Sequence, residues 1–470
     1  MISVNPDTQI TPFSVNDIIN ALDLDRDSIQ NIDVHHDYSE GLVIELKLSP
    51  VPSPCPICHT MTTKVKGYRM RVIQHSIFNS TPCIIRYNAR RYECPLCHKT
   101  FYETNHFIKS GTRLSVATVI NVLTALKVPT ATFSEIGRKY HISATSIANI
   151  FDNHVSISRR PLPECLSFDE VFAFQSEYSP CVCVLLDYND KKIVDILPSR
   201  KKAALIEYFS AIPEEERNRV KFVSYDMWES YRVVSKLMFP KSKGIVDKFH
   251  VLADLSKRAD AVRIRIQNQN RKQKNELLNK QKKLRESKQE LSPQEEELLQ
   301  EADNNVYLLS KFNWVLYSND KKITDPNIKK RFNRKLQRYL NLYDIYDLII
   351  KIDPELEAAI DLKDSVHRFY KTCTYDNAKA ELEEIIQYFR ATPIPELYPF
   401  SNTLIRWKQE IINSFIPIPS LKNRKLNNAL IENRNKTIKS IKTSSNGYTC
   451  WERFRNRVLY CLNEDETFKL

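Results

Sequence analysis

The pattern of apolar and polar positions changes several times along the chain. The stretch VNDIINALDL predicts a short helix near the N-terminus, and the alternation from Leu42 to Leu48 predicts a strand. Residues 112–155 have a helical period with polar caps, and the run Arg-Arg-Pro-Leu-Pro at 159–163 follows. The pattern therefore indicates a domain boundary near residue 160.

Beyond this boundary the pattern favours an α/β domain. Three apolar runs, LSFDEVFAF, CVCVLLDY and KIVDILP, predict strands separated by short turns. A predicted helix at Lys201–Ile212 is followed by the strand VKFVSYD, the helix ESYRVVSKLM and the strand GIVDKF. Strands that alternate with helices in this order are typical of a mixed sheet.

Residues 251–404 have a mainly helical pattern with blocks of charge. Lys257–Lys288 carries twelve basic and three acidic residues, whereas Gln289–Asp303 carries six acidic residues and no basic ones. Such blocks are typical of solvated helices or helical hairpins. A second basic cluster, KKRFNRKLQR, occupies 329–338, and we predict it within the same helical region. Residues 421–460 are again basic and are predicted to be helical.

Composition narrows the possible classes of protein. A length of 470 residues predicts about three domains of roughly 150 residues each. The net charge of +13 suits a polyanionic partner. The six glycines lie far apart, which excludes a Gly-rich phosphate loop and the dinucleotide-binding fingerprint. The chain has no long apolar run and no apparent signal peptide, and its eleven cysteines are an odd number, so we expect a cytoplasmic protein without a membrane span.

Two Cys-x-x-Cys pairs predict a structural zinc site. Cys55 and Cys58 form the first pair and Cys94 and Cys97 the second, with alternating, strand-like sequence between them. Two such turns close a tetrahedral four-thiolate site with no open position. A redox pair is the alternative, and it explains two matched Cys-Pro-x-Cys-His turns poorly. The histidines that follow each pair are expected to be bystanders or outer-shell residues.

Two short helices predict a helix-turn-helix. The first is Phe133–Tyr140, His141 and Ile142 form the turn, and Ser143 caps a second helix that extends to Phe151. Thr145, Ser146 and Asn149, with Ala144, would lie on the side that faces a DNA groove. A plain αα-hairpin has the same pattern and remains an alternative.

Two aspartates in the α/β region are candidates for a metal site. Asp169 lies within an apolar strand, where an ionised carboxylate needs a partner. Asp226 ends the strand VKFVSYD, and strand ends of this kind face the ligand crevice of open α/β sheets. Carboxylates from neighbouring strands could hold Mg²⁺. Helix capping is the alternative role of Asp226, and the rival carboxylates are Glu170, Asp187 and Asp247.

The third candidate carboxylate is Glu432. On a helix it lies away from the apolar stripe of Leu426, Leu430, Ile438 and Ile441. Its predicted neighbours form a phosphate-binding face: Lys425, Asn428, Asn435, Lys436 and Lys439. A surface ion pair between Glu432 and Lys436 is the simpler interpretation.

The order of these motifs resembles a known family, the bacterial insertion-sequence transposases of the ISL-three type. The resemblance covers nearly the whole chain and depends most on three motifs: Ser224-Tyr-Asp226-Met-Trp228, Asp247-Lys-Phe-His250, and Asn428-x-x-x-Glu432-x-x-Asn435-Lys436. By this resemblance Asp169, Asp226 and Glu432 correspond to the DDE triad of an RNase H-like catalytic domain. Asn433 stands where the family usually has glycine.

The resemblance also implies a domain order and a helical insertion before the last catalytic residue. The expected parts are an N-terminal helix-strand segment (1–48), a zinc ribbon (49–109), a helix-turn-helix (110–160), the first part of the catalytic domain (161–250), the helical insertion (251–404), and the last part of the catalytic domain with C-terminal basic helices (405–470).

The implied activity is Mg²⁺-dependent cleavage and strand transfer of DNA. The triad would hold two Mg²⁺ ions, for which Mn²⁺ could substitute, and the ribbon would hold one Zn²⁺. The partners would be the terminal inverted repeats of the element and target DNA, bound by a homodimer or higher oligomer at the bacterial nucleoid. Trp228, Asp247 and His250 are possible accessory residues. An inactive DNA-binding regulator and a structure-selective nuclease are the alternatives.

Overall fold

The computed structural model describes residues 15–22, 24–76, 82–108, 112–174, 179–318 and 321–470. Its first part is a five-stranded sheet beside helix α1 (Val15–Ala21). The strands of this part are β1 (Ile29–Asp37), β2 (Gly41–Leu48), β3 (Ser53–Pro54), β4 (Met61–Thr62), β5 (Val65–Gln74), β6 (Cys83–Glu93) and β7 (Thr100–Tyr102). The sheet order is β1-β2-β6-β5 with β7 on β6, and only β2 and β6 run parallel. The strand predicted from Leu42 to Leu48 is confirmed, whereas β1 was not predicted.

Three helices follow: α2 (Val116–Ala125), α3 (Phe133–Tyr140) and α4 (Ala144–His154). The chain turns sharply between α3 and α4 because His141 adopts the left-handed conformation, with φ of 54°. A Cβ on Gly137 would lie 2.5 Å from the carbonyl oxygen of Ile142, so only glycine permits this close turn. The Ser143 hydroxyl accepts from the Ser146 N–H at 3.1 Å and caps α4 as predicted.

The second sheet is mixed, as predicted. Its strands are β8 (Cys165–Val171), β9 (Val182–Asp187), β10 (Lys192–Leu197), β11 (Phe222–Tyr225) and β12 (Lys243–Val246), in the order β10-β9-β8-β11-β12. Strands β8, β11 and β12 are parallel to one another, and β9 and β10 are antiparallel additions. The helices that accompany it are α5 (Lys202–Ser210), α6 (Glu214–Arg217) and α7 (Glu229–Met238).

Both faces of the second sheet are covered, which explains its almost wholly apolar strands. Phe168 and Leu185 pack with α5 and α7 on one face. Val182 and Val184 pack on the opposite face with the last two helices, α16 (Ala429–Ser444) and α17 (Trp451–Leu462).

Residues between the second sheet and α16 are mainly helical. The helices are α8 (Lys248–Glu286), α9 (Pro293–Lys311), α10 (Lys321–Thr324), α11 (Leu342–Ile350), α12 (Pro354–Thr372), α13 (Ala378–Ala391), α14 (Tyr398–Arg406) and α15 (Lys408–Asn413). The oppositely charged blocks pair as the hairpin of α8 and α9, with Lys274 bonded to Asp303 at 2.6 Å.

The helical prediction for 329–338 is wrong, because this basic segment forms a β-hairpin. Its strands are β13 (Arg331–Asn333) and β14 (Arg338–Leu340). The left-handed conformation of Gln337, with φ of 53°, reverses the chain between them.

Helices α2–α4 share a hydrophobic core with α17 at the other end of the chain. Phe151 packs edge-on against Tyr460 with ring centroids 5.9 Å apart. The Arg457 guanidinium donates to the carbonyl oxygens of Val128 and Ala131 at 2.9 and 2.7 Å. The predicted boundary near residue 160 therefore does not separate two independent cores. Among the described helices, none has the length and apolar character needed to cross a membrane.

Candidate active site and zinc centre

The two cysteine pairs converge on one point of the N-terminal sheet. Cys55, Cys58, Cys94 and Cys97 place all four sulfurs within 4.8 Å of one another. The sulfur of Cys58 lies 3.5 Å from those of Cys94 and Cys97. Tetrahedral zinc with Zn–S bonds of about 2.3 Å separates its sulfurs by about 3.8 Å, so the cluster has the dimensions of a closed zinc site.

The backbone of each pair forms the same tight turn. The N–H groups of His59 and His98 donate to the carbonyl oxygens of Cys55 and Cys94 at 3.0 and 3.1 Å. Both histidines are left-handed, with φ of 57°, so each completes a turn and neither belongs to the four-sulfur group. Hydrogen bonds from the hydroxyl and N–H of Thr60 lower the pKa of the Cys58 thiol to about 6, which favours the metal-binding thiolate.

Asp169 lies on β8 and faces helix α16. Its Oδ1 accepts from the Glu170 N–H, and its Oδ2 accepts from the side-chain amide of Asn435, both at 2.8 Å. Burial raises the pKa of Asp169 to about 7, and the charges of Asp226, Glu170 and Glu432 add to that rise. Asp169 is thus the most strongly perturbed carboxyl group of the region, as its apolar strand suggested.

Asp226 directly follows β11, the strand next to β8. Its Oδ1 accepts from the Trp228 N–H at 3.2 Å, so it initiates the turn before α7 and does not itself cap that helix. Burial raises the pKa of Asp226, while His250, the Trp228 N–H and the Arg200 guanidinium oppose that rise. His250 therefore stands close to the second aspartate.

Glu432 lies exposed in the first turn of α16. The helix begins at Ala429, so Leu426 and Lys425, which we predicted on it, precede it. Its buried stripe consists of Ile431, Asn435, Ile438 and Ile441.

Two asparagines that we predicted on the phosphate-binding face are instead buried, and they attach α16 to the sheet. Asn428 is 0% exposed, and its side-chain oxygen accepts from the Ser224 hydroxyl at 2.6 Å. The Asn428 N–H donates to the carboxylate of Asp247. Asn435 is 7% exposed and bonds to Asp169. Glu432 lies between these two anchored positions, in the first turn of α16, and its charge contributes to the raised pKa of Asp169.

The rival carboxylates have other partners. Glu170 follows Asp169 on the strand and faces the α7 side, where it forms an ion pair with Arg200 and accepts from the Tyr231 hydroxyl at 3.4 Å. Asp187 accepts from the N–H groups of Asn189 and Asp190 in the turn after β9. Asp247 is 2% exposed, caps α8 through the Phe249 N–H at 2.8 Å and receives Asn428.

Arg200 is a neighbour of the site that the sequence did not reveal. Its guanidinium lies 4.5 Å from the centroid of the Trp228 ring, which also packs edge-on against Tyr231. Trp228 is therefore held between a cation and a buried aromatic ring. Asn435 was identified only as a polar neighbour of Glu432, because its partner Asp169 is 266 residues away in sequence.

The residues predicted to contact DNA differ in their exposure and in their bonding partners. Thr145 and Asn149 are exposed on α4, whereas Ser146 is half-buried and bonded to the Ser143 hydroxyl at 2.8 Å. Lys436 and Lys439 are exposed on α16 and form no ion pair within the described residues. The Lys425 ammonium donates to the Cys373 carbonyl at 3.2 Å and lies over the Phe415 ring.

The carboxylates form a looser group than the cysteines. Among the residues that the structure describes, only the four cysteines place three or more ligand atoms of His, Cys, Asp or Glu within 4.8 Å of one another. Asp169, Asp226 and Glu432 are nevertheless close enough for the charges of the other two to raise the pKa of Asp169. Holding ionised carboxylates close together in a partly buried site costs free energy, and a bound cation would lower that cost.

Comparison with known families identifies the class of protein. The model of the ISL3-family DDE domain, described as "Transposase", matches residues 166–458. The model described as "zinc-finger of transposase IS204/IS1001/IS1096/IS1165" matches residues 52–97. The chain therefore belongs to the ISL3 family of transposases, with a zinc ribbon at its N-terminus, as its motifs predicted. A comparison with curated proteins found no match.

Proposed function

We propose that this chain is an active DDE transposase that cleaves the ends of an insertion sequence and joins them to target DNA. The observation that carries the proposal is the bond between Asn435 and Asp169, 266 residues apart, which seats the helix of Glu432 on the strand of Asp169. Asp226 directly follows the adjacent parallel strand, so the two aspartates come from neighbouring strands, and the contact of α16 with β8 supports the inclusion of Glu432.

The topology of the second sheet supports an RNase H-like catalytic domain. Three parallel strands, β8, β11 and β12, are extended by the antiparallel pair β9 and β10, and helices cover both faces. The predicted insertion, 251–404, lies within a mainly helical excursion from 248 to 427, whose two ends meet at the bond between Asp247 and Asn428.

The donor set of the site suits Mg²⁺, which prefers oxygen ligands. Asp169, Asp226 and Glu432 would hold it, and Glu170 would not, because Glu170 faces the α7 side and is already paired with Arg200. Bound there, two such ions would stabilise the attacking and leaving oxygens of a phosphodiester in transfer.

The other residues of the site hold the carboxylates in place. Asn435 and the Glu170 N–H fix the two oxygens of Asp169, and the Trp228 N–H fixes one oxygen of Asp226. Since the pKa of Asp169 is raised to about 7, this group holds a proton in acidic solution and must release it before it can bind a metal.

In this proposal, DNA is bound by the two helices for which the sequence predicted DNA contacts, α4 and α16. The first residues of α4, with exposed Thr145 and Asn149 and the nearby Ser146, would read base edges of the terminal repeats. Lys436 and Lys439 extend from the helix of Glu432 and would contact the phosphates beside the cleaved bond. A homodimer or higher oligomer would bring two ends together.

A cleavage and strand-transfer assay with the full chain and labelled element-end DNA tests this function. Asp169→Asn, Asp226→Asn and Glu432→Gln should each abolish both reactions in Mg²⁺ while leaving end binding intact, because the three carboxylates are not among the residues proposed to contact DNA. Asp187→Asn is the matched control and should retain activity, since Asp187 only closes a turn.

Three results would change the proposal in different ways. Normal cleavage by Glu432→Gln alone would show that the third metal ligand is misassigned. Normal cleavage by all three variants would show that the DDE assignment itself is wrong. End binding by a wild-type protein that never cleaves would leave a DNA-binding regulator as the better description.

A further inference from the structure

The β-hairpin in the helical region has one anchored side and one exposed side. We refer to residues 329–340 as the basic hairpin. Leu336 and Leu340 pack against the main hydrophobic core, and Asn333 closes the turn by accepting from the N–H groups of Lys335 and Leu336. The Tyr307 hydroxyl of α9 donates to the same asparagine oxygen at 3.4 Å. The hairpin is therefore fixed to the helices beneath it.

The exposed side carries uncompensated positive charge. The basic hairpin contains six basic residues and no acidic ones. Lys330 pairs with Asp344, and Lys335 pairs with Asp303. Arg331, Arg334 and Arg338 are exposed and form no ion pair with any described residue.

Two aromatic rings lie on the same ribbon. Phe332 and Tyr339 are direct partners across the two strands, and their ring centroids are 5.2 Å apart. Phe332 is 48% exposed and Tyr339 is 67% exposed. A paired aromatic surface flanked by free guanidinium groups has the chemistry that contacts nucleic acid, where arginines bind phosphates and rings contact bases or sugars.

We propose that the basic hairpin is a second DNA-binding element that contacts duplex DNA of the transposon end. This inference rests on the proposed function, since it requires an end that is held for cleavage. A two-stranded ribbon fits the width of the major groove. Arg331, Arg334 and Arg338 would contact phosphates, and the Phe332–Tyr339 pair would lie against the groove wall. The site is separate from α4 and from the zinc ribbon.

The test compares the full-length protein with three variants by measuring end-DNA affinity over a range of salt concentrations. The triple variant Arg331→Gln, Arg334→Gln, Arg338→Gln should reduce the slope of log affinity against log salt by about 2.7, at roughly 0.9 for each phosphate contact. The matched control replaces Lys282, Lys283 and Arg285, three exposed residues on the far end of α8, by glutamine. It removes the same charge and should leave the slope nearly unchanged.

The pair variant Phe332→Ala, Tyr339→Ala tests the aromatic contact without changing charge. It should weaken binding by roughly fivefold or more, the lower end of the effect of losing an aromatic contact to a base, while the salt slope stays the same. The rates of amide hydrogen exchange at Leu336 and Leu340 should be the same in all variants as in the wild type. Equal rates would show that the hairpin is still folded.

Several results would overturn the inference. Equal slopes for the arginine variant and the wild type would show that these residues do not meet phosphates. Equal losses in the arginine variant and the control would show that net charge alone governs binding. If the arginine variant changes the sedimentation coefficient of the protein but not the slope of affinity against salt, the hairpin contacts another protein chain and not DNA. Mg²⁺-dependent cleavage by the wild type, measured on the same DNA, reports separately on the proposed function.

Discussion

Replacing Asp169 by asparagine should stabilise the metal-free protein while it abolishes catalysis. Burial and the neighbouring carboxylates raise the pKa of Asp169 from the ordinary value of 3.8 to about 7. The folded protein thus holds this proton more tightly than the unfolded chain does. Its contribution to stability is complete below about pH 4 and is lost as the pH rises through about 7.

The size of this stabilisation follows from the ordinary pKa of 3.8 and the raised pKa of about 7. Their difference corresponds to roughly 4 kcal/mol at 1.4 kcal/mol for each pKa unit, which is the cost of ionised Asp169 at pH 8. Asparagine carries no charge at any pH and avoids that cost. The buried Oδ1 of Asn435 has no partner, so a flipped Asn435 amide could accept from the new asparagine. Allowing about 1 kcal/mol for the weaker neutral hydrogen bond leaves a net stabilisation of about 3 kcal/mol.

The assay is denaturant unfolding between pH 4.5 and 8.5 without Mg²⁺ and without chelators, so that the zinc stays bound. Wild type should lose stability relative to Asp169→Asn as the pH rises, and Mg²⁺ should restore it in the wild type only. Glu290→Gln, which removes an exposed carboxylate, should follow the wild type. Parallel pH profiles for wild type and Asp169→Asn, or a variant that is less stable at pH 8, would refute the reasoning.

Three further outcomes follow from the contacts. Cys58→Ser should release the zinc and unfold the cysteine turns, which metal analysis and hydrogen exchange detect, while the second sheet keeps its protection; zinc retained at full occupancy would contradict the four-sulfur site. Arg90→Met should destabilise the N-terminal sheet by about 3–5 kcal/mol, because Arg90 is 1% exposed and its removal leaves Glu103 buried without a cation; unfolding curves measure this, and a loss below 1 kcal/mol would mean that the pair is not desolvated. Asn435→Ala should raise the Mg²⁺ concentration needed for half-maximal cleavage by about 10- to 100-fold, as is usual for a residue that orients a metal ligand; a titration that matches the wild type would show that Asp169 needs no such support.

Local chemistry made several features predictable from sequence. The Cys-x-x-Cys turns require only a few neighbouring residues each, and the helix-turn-helix segment depends on a cap at Ser143 and a glycine at 137 that are close in sequence. The mixed sheet followed from apolar, strand-like runs that alternate with helices along the chain. The carboxylate of Asp169 was identifiable because an ionised group in such a strand needs a partner.

Long-range contacts limited the prediction elsewhere. Asn428 and Asn435 are polar, and on a helix they suggested a surface, yet their partners on the sheet lie about two hundred or more residues away. The basic hairpin was assigned to helices because its strands are only three residues long and its turn contains no glycine. The apolar pattern alone left Glu170 as a rival of its neighbour Asp169, and the sheet shows that only Asp169 bonds to α16.

The bond between Asp247 and Asn428 has a consequence for how this family of folds can change. The two residues are 181 positions apart, yet the chain leaves the sheet at one and returns at the other. Part of this excursion still packs on the sheet, since α15 contacts β12 and the Asn413 amide donates to the Gly244 carbonyl oxygen at 2.9 Å. The distal part of the α8–α9 hairpin is mostly exposed, so it could be lengthened, shortened or exchanged during evolution without displacing the three carboxylates. An engineered chain could in the same way carry a different module at that distal end.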